Sequence, residues 1–185
     1  MKPFQPAPLR TGRLVLRHLS QEDCDALFAI FAHIEVMRYW STPPLTERAQ
    51  VETRVRQFVE GYEKGTNLSL GIERAADGVL VGNCTLFDFH EASRRAQIGY
   101  CLGRPYWGQG YMHEALVALV NHAFDGLALH RLEADIDPRN LASQKTLERL
   151  GFQREGFLRE RWIVGGEVSD TALYGLLQRE WRTRT

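Results

Sequence analysis

Three observations predict that this sequence folds as a single mixed α/β domain. The chain has 185 residues, a length that one domain commonly occupies. Apolar residues make up 44% of the chain and charged residues 25%, which is the composition of a folded protein rather than a disordered one. The apolar pattern switches repeatedly between the alternation of strands and the spacing of helices. We therefore expect one sheet flanked by helices.

The first third of the chain predicts an arm, a strand and two helices. Residues 1–9 contain three prolines and are expected to form a flexible arm, which leaves a single domain over 10–185. The alternation of apolar and basic residues in Arg13–Leu19 predicts a strand. The apolar run Ala26–Ala32 predicts a helix, and helical spacing of apolar residues after a proline pair predicts a second one over 46–62.

The rest of the chain predicts strands separated by two further helices. Strands are expected at 68–72, Val79–Phe87, Ala96–Leu102, Leu132–Ile136, Phe152–Val164 and Glu167–Leu177. Helices are expected from Tyr111 to about Gly126 and over Leu141–Leu150. The last two strands, joined by Gly165-Gly166, predict a hairpin.

Charge and cysteine content exclude several classes of protein. Lys and Arg total 23 and so do Asp and Glu, so a protein that binds mainly nucleic-acid phosphates or a membrane surface is not expected. Cys24, Cys84 and Cys101 are scattered and show neither a disulfide framework nor the spacing of a metal site. The proline-containing start lacks the apolar segment of a signal peptide. We therefore expect a cytoplasmic protein without a metal.

The segment Gly103–Ala115 carries the clearest chemical signal. It is a glycine-rich loop between a predicted strand and a predicted helix. The start of a helix carries unpaired N–H groups and a partial positive charge, and Gly108 and Gly110 permit close approach of the backbone. This pattern predicts a phosphate site that needs no Lys or Arg. A strand–helix turn without a ligand is the alternative, since neither a Walker lysine nor the third glycine of a dinucleotide site follows.

Other motifs change the balance between these two interpretations. They are Ile98-Gly99-Tyr100, Trp107-Gly108-Gln109-Gly110-Tyr111-Met112, Asp137-Pro138-Arg139-Asn140-Leu141-Ala142-Ser143, Leu150-Gly151-Phe152 and Glu155-Gly156. Taken together, they resemble the Gcn5-related N-acetyltransferase (GNAT) superfamily. Within it, the sequence resembles the enzymes that acetylate an N-terminal alanine or serine of ribosomal proteins. The resemblance covers Leu9–Trp181. It implies a GNAT fold, with a central mixed, largely antiparallel sheet that is flanked by helices and splayed between its fourth and fifth strands.

The resemblance also implies that acetyl-CoA is the co-substrate. Its pyrophosphate would bind the backbone amides of the loop, and its pantetheine arm would pair with the free edge of the preceding strand. Asn140 and Ser143 would face the thioester, although capping of the following helix is an alternative role for Asn140. The expected cofactor-binding residues are Tyr100, Cys101, Leu102, Trp107, Gly108, Gln109, Gly110, Tyr111, Met112, Asn140 and Ser143.

Two positions depart from the catalytic pattern of related enzymes. Many of them carry a tyrosine seven residues after the asparagine, which protonates the departing thiolate; here Leu147 stands in its place. That role passes to Ser143, to water, or to no group at all. Gln97 replaces a common glutamate and cannot accept a proton. Related enzymes place a carboxylate near the position of Glu160, which makes Glu160 the candidate general base, with a surface position in the charged run 159–161 as the alternative.

The resemblance implies a primary amine as acceptor, first of all the N-terminal α-amine of a ribosomal protein. An α-amine of pKa about 7.7–8.0 is far easier to deprotonate at neutral pH than a lysine of pKa about 10.4, so a protein N-terminus needs only a modest base. A small amine such as a polyamine, an antibiotic or an amino acid is the alternative, as is a regulatory module that binds CoA without catalysis. Tyr39, Trp40 and Trp162 are expected near the acceptor, and His90 and Glu91 are further candidate bases. Both a monomer and a homodimer fit the family.

Overall fold

A computed structural model describes residue 4 and residues 8–183 and places eight strands in one sheet. The strands are β1 (Leu9–Arg10), β2 (Leu14–His18), β3 (Leu68–Arg74), β4 (Leu80–His90), β5 (Arg95–Leu102), β6 (Arg131–Ile136), β7 (Gln153–Val164) and β8 (Glu167–Leu177). The helices are α1 (Cys24–Phe31), α2 (Ile34–Met37), α3 (Arg48–Lys64), α4 (Tyr111–Asn121), α5 (Leu141–Leu150) and α6 (Gln178–Arg182).

The sheet has the order β1-β2-β3-β4-β5-β6-β8-β7, and all neighbours are antiparallel except β5 and β6. The apolar faces of α4 and α5 contribute to one large core on one side of the sheet. The apolar faces of α1 and α3 form a second core with Leu80 and Cys101. This arrangement confirms the mixed α/β class and the largely antiparallel sheet that the sequence predicts.

The parallel strands β5 and β6 pair over only three residues. Arg95, Ala96 and Gln97 pair with Arg131, Leu132 and Glu133. Beyond that point, residues 98–102 of β5 and 134–136 of β6 have no partner in each other, so the sheet is splayed there. This is the splay expected between the fourth and fifth strands. The fourth and fifth predicted strands are numbered β5 and β6 in the structure, because the short strand β1 precedes the first strand that the sequence predicts.

The expected N-terminal arm falls partly outside the described residues, which omit 1–3 and 5–7. Two of its described residues belong to the fold. Phe4 is 7% exposed and packs in the main core, where Tyr62 donates a hydrogen bond to its carbonyl oxygen at 2.7 Å. Leu9 pairs with Leu16 in β1. At these two residues the chain is docked on the domain, because each finds an apolar surface to cover.

Several local features differ from the prediction or extend it. The short helices α2 and α6 were not expected, since neither is long enough to show a helical period. The helix α4 continues into a π-helical turn over His122–Gly126, so the whole helical segment ends at Gly126, where the sequence predicts its end. The three cysteines are free and buried. Within the described residues, no helix has both the length and the apolar content to cross a membrane.

Candidate active site

The loop between β5 and α4 presents a row of unpaired backbone donors. Gly108 and Gly110 have φ of 74° and 79°, in the left-handed region that glycine adopts without strain. Gly110 directly precedes α4. No acceptor among the described residues receives a hydrogen bond from the backbone N–H groups of residues 108–113. Successive N–H groups of this kind form a concave anion site at a helix N-terminus.

Side chains of the loop hold its shape. The side-chain amide of Gln109 donates to the carbonyl oxygen of Pro105 at 3.0 Å. The indole N–H of Trp107 donates to the carbonyl oxygen of Leu102 at 2.7 Å, which ties the loop to the end of β5. Tyr111 is buried and Met112 packs against the core, so these two residues offer the site their backbone rather than their side chains.

Arg13, distant in sequence, lies against the same loop. Its guanidinium donates to the carbonyl oxygen of Gln109 at 3.0 Å and lies 4.6 Å from the ring centroid of Tyr111. Glu114 in the first turn of α4 holds Arg13 with an ion pair of 2.6 Å. Sequence reasoning missed this cation, because nothing local in the β1–β2 turn connects it with a loop about 100 residues later.

The free edge of β5 offers backbone rather than side chains to a ligand. The Sγ of Cys101 donates to Oδ1 of Asn83 at 2.9 Å in the sheet interior, and burial raises the pKa of this thiol to about 12. Leu102 is buried in the main core. The polar groups that these residues turn towards the splay therefore belong to the main chain, as the expected pairing with an amide chain requires.

Tyr100 and Ser143 meet across the splay. Their hydroxyl oxygens are 2.8 Å apart, and either can be the donor. Burial raises the pKa of Tyr100 to about 12, although the hydrogen bond with Ser143 acts in the opposite direction. Asn140 caps α5 by accepting the N–H of Ser143 at 3.1 Å, so the capping role is present and also fixes the position of Ser143. Leu147 is fully buried in the core.

A cavity of about 550 Å³ lies at the splay and brings these groups together. Its walls come from the α2–α3 connection, the diverging parts of β5 and β6, the start of α5 and the β7–β8 hairpin. Four aromatic side chains line it besides Tyr100, namely Tyr39, Trp40, Phe87 and Trp162. Asn140 and Ser143 line the same cavity. The three aromatic residues that the sequence placed near an acceptor therefore share one space with the Tyr100–Ser143 pair.

Two of the three carboxylates that line this cavity are neutralised by arginine. Asp137 pairs with Arg139 at 2.5 Å. Glu167 in the β7–β8 hairpin pairs with Arg38 at 2.9 Å and with Arg139 at 2.6 Å. Hydrogen bonds from Arg38 and Arg139 hold the pKa of the Glu167 carboxyl below its usual range. Burial alone would raise the pKa of Asp137, but its hydrogen bonds with Arg139 lower it overall. This network joins three separate elements at the rim of the cavity.

Asp135 is the third carboxylate of the cavity and differs from the other two. It is half-buried on β6, directly after the splay begins, and it has no ion-pair partner among the residues described. Burial raises the pKa of its carboxyl group, and the positive charge of Arg161 offsets this only in part. Sequence reasoning missed Asp135. Nothing local distinguishes it, because charged and apolar residues alternate along β6, and Asp135 is one of three charged residues in that strand.

Glu160, the expected general base, is not among the residues that line the cavity. It is exposed at an irregularity of β7 and has φ of 53°, a left-handed conformation. Its backbone N–H donates to Oδ1 of Asp170 at 2.7 Å, which gives Asp170 a structural role. His90 caps a short helical turn by accepting the N–H of Ser93 and is exposed. Within residues 8–183, no group of three His, Cys, Asp or Glu side chains is placed to hold a metal.

Comparisons with known proteins agree with this geometry. Residues 13–153 match the family described as the acetyltransferase (GNAT) domain. The chain is 34% identical over 173 residues to the uncharacterized N-acetyltransferase p20 of Bacillus licheniformis, covering 94% of this chain and 97% of that protein. It is 26% identical over 180 residues to the [ribosomal protein uS5]-alanine N-acetyltransferase of Escherichia coli, covering 94% and 92% of the two chains.

The fold has close counterparts among solved structures as well. The crystal structure of a GNAT-family acetyltransferase from Bacillus anthracis superposes with a TM-score of 0.83 at 23% identity, covering 94% of this chain and all of that one. That likeness concerns the fold. The family match extends over most of the chain and includes the loop, the splay and the Asn140–Ser143 helix start, and on this basis the chain belongs to the GNAT family of N-acetyltransferases.

Proposed function

We propose that this enzyme transfers the acetyl group of acetyl-CoA directly to the N-terminal α-amine of a protein. The observation that carries the proposal is the splay between β5 and β6. There a cofactor strip made of backbone groups and a cavity lined by aromatic residues meet at the Tyr100–Ser143 pair. One side fits a long anionic thioester and the other fits an amine, and the two substrates would meet where the strands diverge.

The cofactor strip fits acetyl-CoA in both charge and shape. The free N–H groups of residues 108–113 would bind the pyrophosphate, and Arg13, held by Glu114, supports the loop through the carbonyl oxygen of Gln109. The edge of residues 98–102 has no partner in β6. Apart from the bond between the Trp107 indole and the carbonyl oxygen of Leu102, it is free within the part of the chain that the structure describes, and it would pair with the amide groups of the pantetheine arm. These residues would bring the thioester to the cavity, where Asn140 and Ser143 lie.

Direct transfer is favoured over an acetylated enzyme. An acetyl-enzyme needs an activated nucleophile, usually a thiolate of lowered pKa. Cys101 is the cysteine nearest the splay, but its side chain is buried against Asn83 and its pKa is about 12. The remaining two cysteines, Cys24 and Cys84, are also buried, and burial raises their pKa values too. None of the three lines the cavity.

The hydroxyl pair of Tyr100 and Ser143 would assist the leaving group. A phenol with a pKa of about 12 stays protonated near neutral pH, so it can donate a hydrogen bond to a developing thiolate. If Tyr100 gave up its proton, the resulting tyrosinate would take up another, because a CoA thiol with a pKa near 8.5 is the stronger acid. The pair therefore suits a relay that passes a proton released by the reacting nitrogen to the sulfur.

The charges of the cavity favour an acceptor with one ammonium group. Of its three carboxylates, two already pair with Arg38 or Arg139, which leaves a single unpaired negative charge. A polyamine carries several positive charges. With one of them at the unpaired carboxylate, the remaining charges would lie near those arginines. An α-amine is also the easier group to deprotonate by about 3 kcal/mol relative to lysine. The relative named as a uS5-alanine N-acetyltransferase supports a protein N-terminus as the acceptor. The exposed rim of the cavity in this chain would leave room for the rest of such a peptide.

An acceptor screen tests the proposal. CoA release is followed with peptides that begin with alanine or serine, with the same peptides blocked at the N-terminus but containing lysine, and with spermidine and an aminoglycoside. We expect kcat/KM for the free N-terminal peptides to exceed that for each other acceptor by about tenfold or more. Turnover with spermidine or the aminoglycoside alone would contradict the α-amine assignment, and binding of CoA without turnover on any amine would indicate a regulatory module.

A further inference from the structure

Asp135 lies where the two strands have just separated. Along β6, Ala134 is buried in the main core on the side of α4 and α5. Because successive residues of a strand point to opposite faces, the side chain of Asp135 points to the other face of the sheet. There it lines the acceptor part of the cavity together with Trp162, Ser169 and Thr171. None of these three neighbours is charged.

The charged groups around Asp135 leave it without a direct counter-ion. From β7, Arg161 attracts it only at a distance. On its own strand, Glu133 is two residues away and is occupied by Arg95 and Arg131. At the rim, Glu167, Arg38 and Arg139 are engaged with one another or with Asp137, as described above.

A second buried carboxylate shows what a purely structural role requires. Asp23 is 6% exposed and receives two hydrogen bonds from Arg17, at 2.8 and 3.0 Å, and one from the N–H of Ser20 at 2.8 Å. Burial alone would raise its pKa, but these bonds lower it overall. Asp135 has no such set of partners, and its pKa is raised. A partly desolvated carboxylate that the fold leaves unpaired costs stability, which is typical of a group kept for a ligand.

We propose that Asp135 binds the ammonium group of the acceptor and takes its proton before transfer. This inference rests on the proposed function and assigns to Asp135 the role that the sequence predicted for Glu160. An ammonium ion supplies the missing positive partner. A carboxyl group whose pKa lies above its usual range is also a better match to an amine than an ordinary aspartate.

The reaction removes two protons from the acceptor nitrogen. One proton passes from the ammonium group to the Asp135 carboxylate and from there to solvent, which leaves a neutral amine. The nitrogen lone pair forms a bond to the acetyl carbon, and the carbon–sulfur bond breaks with its electron pair on sulfur. The second nitrogen proton passes through the hydroxyls of Tyr100 and Ser143 to that sulfur. The products are an N-acetylated acceptor, CoA thiol and one proton.

The substitution Asp135→Asn tests this role, because it keeps the shape of the side chain and removes the base. With a peptide acceptor at pH 7, we expect kcat to fall by about tenfold, because only about a tenth of an α-amine of pKa about 8 is neutral at that pH without a base. The Kd of CoA should stay within about twofold, and the melting temperature should be equal or higher, because an unpaired charge is removed. A structural aspartate would instead lower the melting temperature. Asp135→Glu should recover part of the lost kcat.

The pH dependence supplies a second readout. In Asp135→Asn only the acceptor that is already neutral reacts, so kcat should rise about tenfold per pH unit below the acceptor's pKa of about 8. The unaltered enzyme should change by less than about threefold over the same unit. Asp125→Asn, an exposed aspartate in the turn after α4, is the matched control and should keep both kcat and the pH profile.

The outcomes separate this inference from the proposed function. If the unaltered protein acetylates no amine, the proposed function fails and the inference fails with it. If the unaltered protein is active and Asp135→Asn keeps kcat within threefold, only the inference is overturned. A larger loss of kcat in Glu160→Gln than in Asp135→Asn would return the role of base to Glu160 and would also overturn it.

Discussion

The two halves of the proposed active site, one on each side of the splay, are built from different materials. The cofactor half consists of main-chain groups, namely the N–H groups of residues 108–113 and the edge of residues 98–102. The acceptor half consists of side chains such as Tyr39, Trp162 and Asp135, which come from separate elements. A backbone site depends on local conformation, whereas a side-chain site depends on how distant elements pack. The two halves should therefore respond to substitution in different ways.

The largest expected effect breaks the backbone half. Gly108→Val places a β-branched side chain at a positive φ, which costs on the order of 1–3 kcal/mol unless the backbone rotates. Rotation would turn the N–H groups of the loop away from the phosphate. We expect the Kd of CoA, measured by calorimetry, to rise by about 30-fold or more while the acceptor cavity remains formed.

The control for this prediction is Gly78→Val. Gly78 lies in the turn between β3 and β4 with φ of 71°, and a Cβ added there, as at Gly108, would meet no atom within 4 Å. The backbone strain is therefore matched, but Gly78 is not part of the loop. Its variant should lose similar stability and keep its affinity for CoA. Equal losses of CoA affinity in both variants would show that the glycine loop has no special role.

A smaller effect is expected where the two halves meet. Ser143→Ala and Tyr100→Phe each remove one hydroxyl of the pair, and we expect each to lower kcat by about tenfold while the Kd of CoA changes by less than about threefold, because a thiol leaving group of pKa near 8.5 needs only modest assistance. Because the hydroxyls act as a unit, the double variant should be little slower than the slower single variant. Pre-steady-state measurement of CoA release checks this directly.

Thr146→Ala provides the matched control for the hydroxyl pair. Thr146 lies on the same helix and donates to the carbonyl oxygen of Ala142, and it does not line the cavity. Its variant should keep kcat within about twofold. If the losses of the two single variants simply added in the double variant, Tyr100 and Ser143 would act independently and the relay would be wrong.

The same contrast explains how much the sequence could predict. The fold class and the order of most elements along the chain followed from local patterns, and short motifs carried the resemblance to the family, which in turn implied the splay. The loop at Gly108 and Gly110 was predictable because a glycine-rich turn before a helix determines its own backbone geometry. Asn140 was assigned both a site position and a cap, and the structure places it at the cavity and shows the cap.

The acceptor half could not be derived in this way, since its residues meet only after folding. Arg38, Arg139 and Glu167 come from three elements, and their network has no local signature. Glu160 follows a motif but lies on an irregular, exposed part of β7, where alternation no longer predicts which face a side chain takes. Asp135 lies on a regular strand, but only the splay beside it leaves its carboxylate unpaired.

Hydrogen exchange with and without CoA, followed by mass spectrometry, tests the central claim most directly. The claim is that main-chain N–H groups bind the cofactor, and amide exchange observes those groups themselves. We predict that CoA slows exchange strongly in peptides covering residues 98–102 and 108–113 and leaves the α2–α3 connection, which holds Tyr39 and Trp40, almost unchanged. Unchanged exchange at 108–113 with strong protection of the α2–α3 connection would contradict the account.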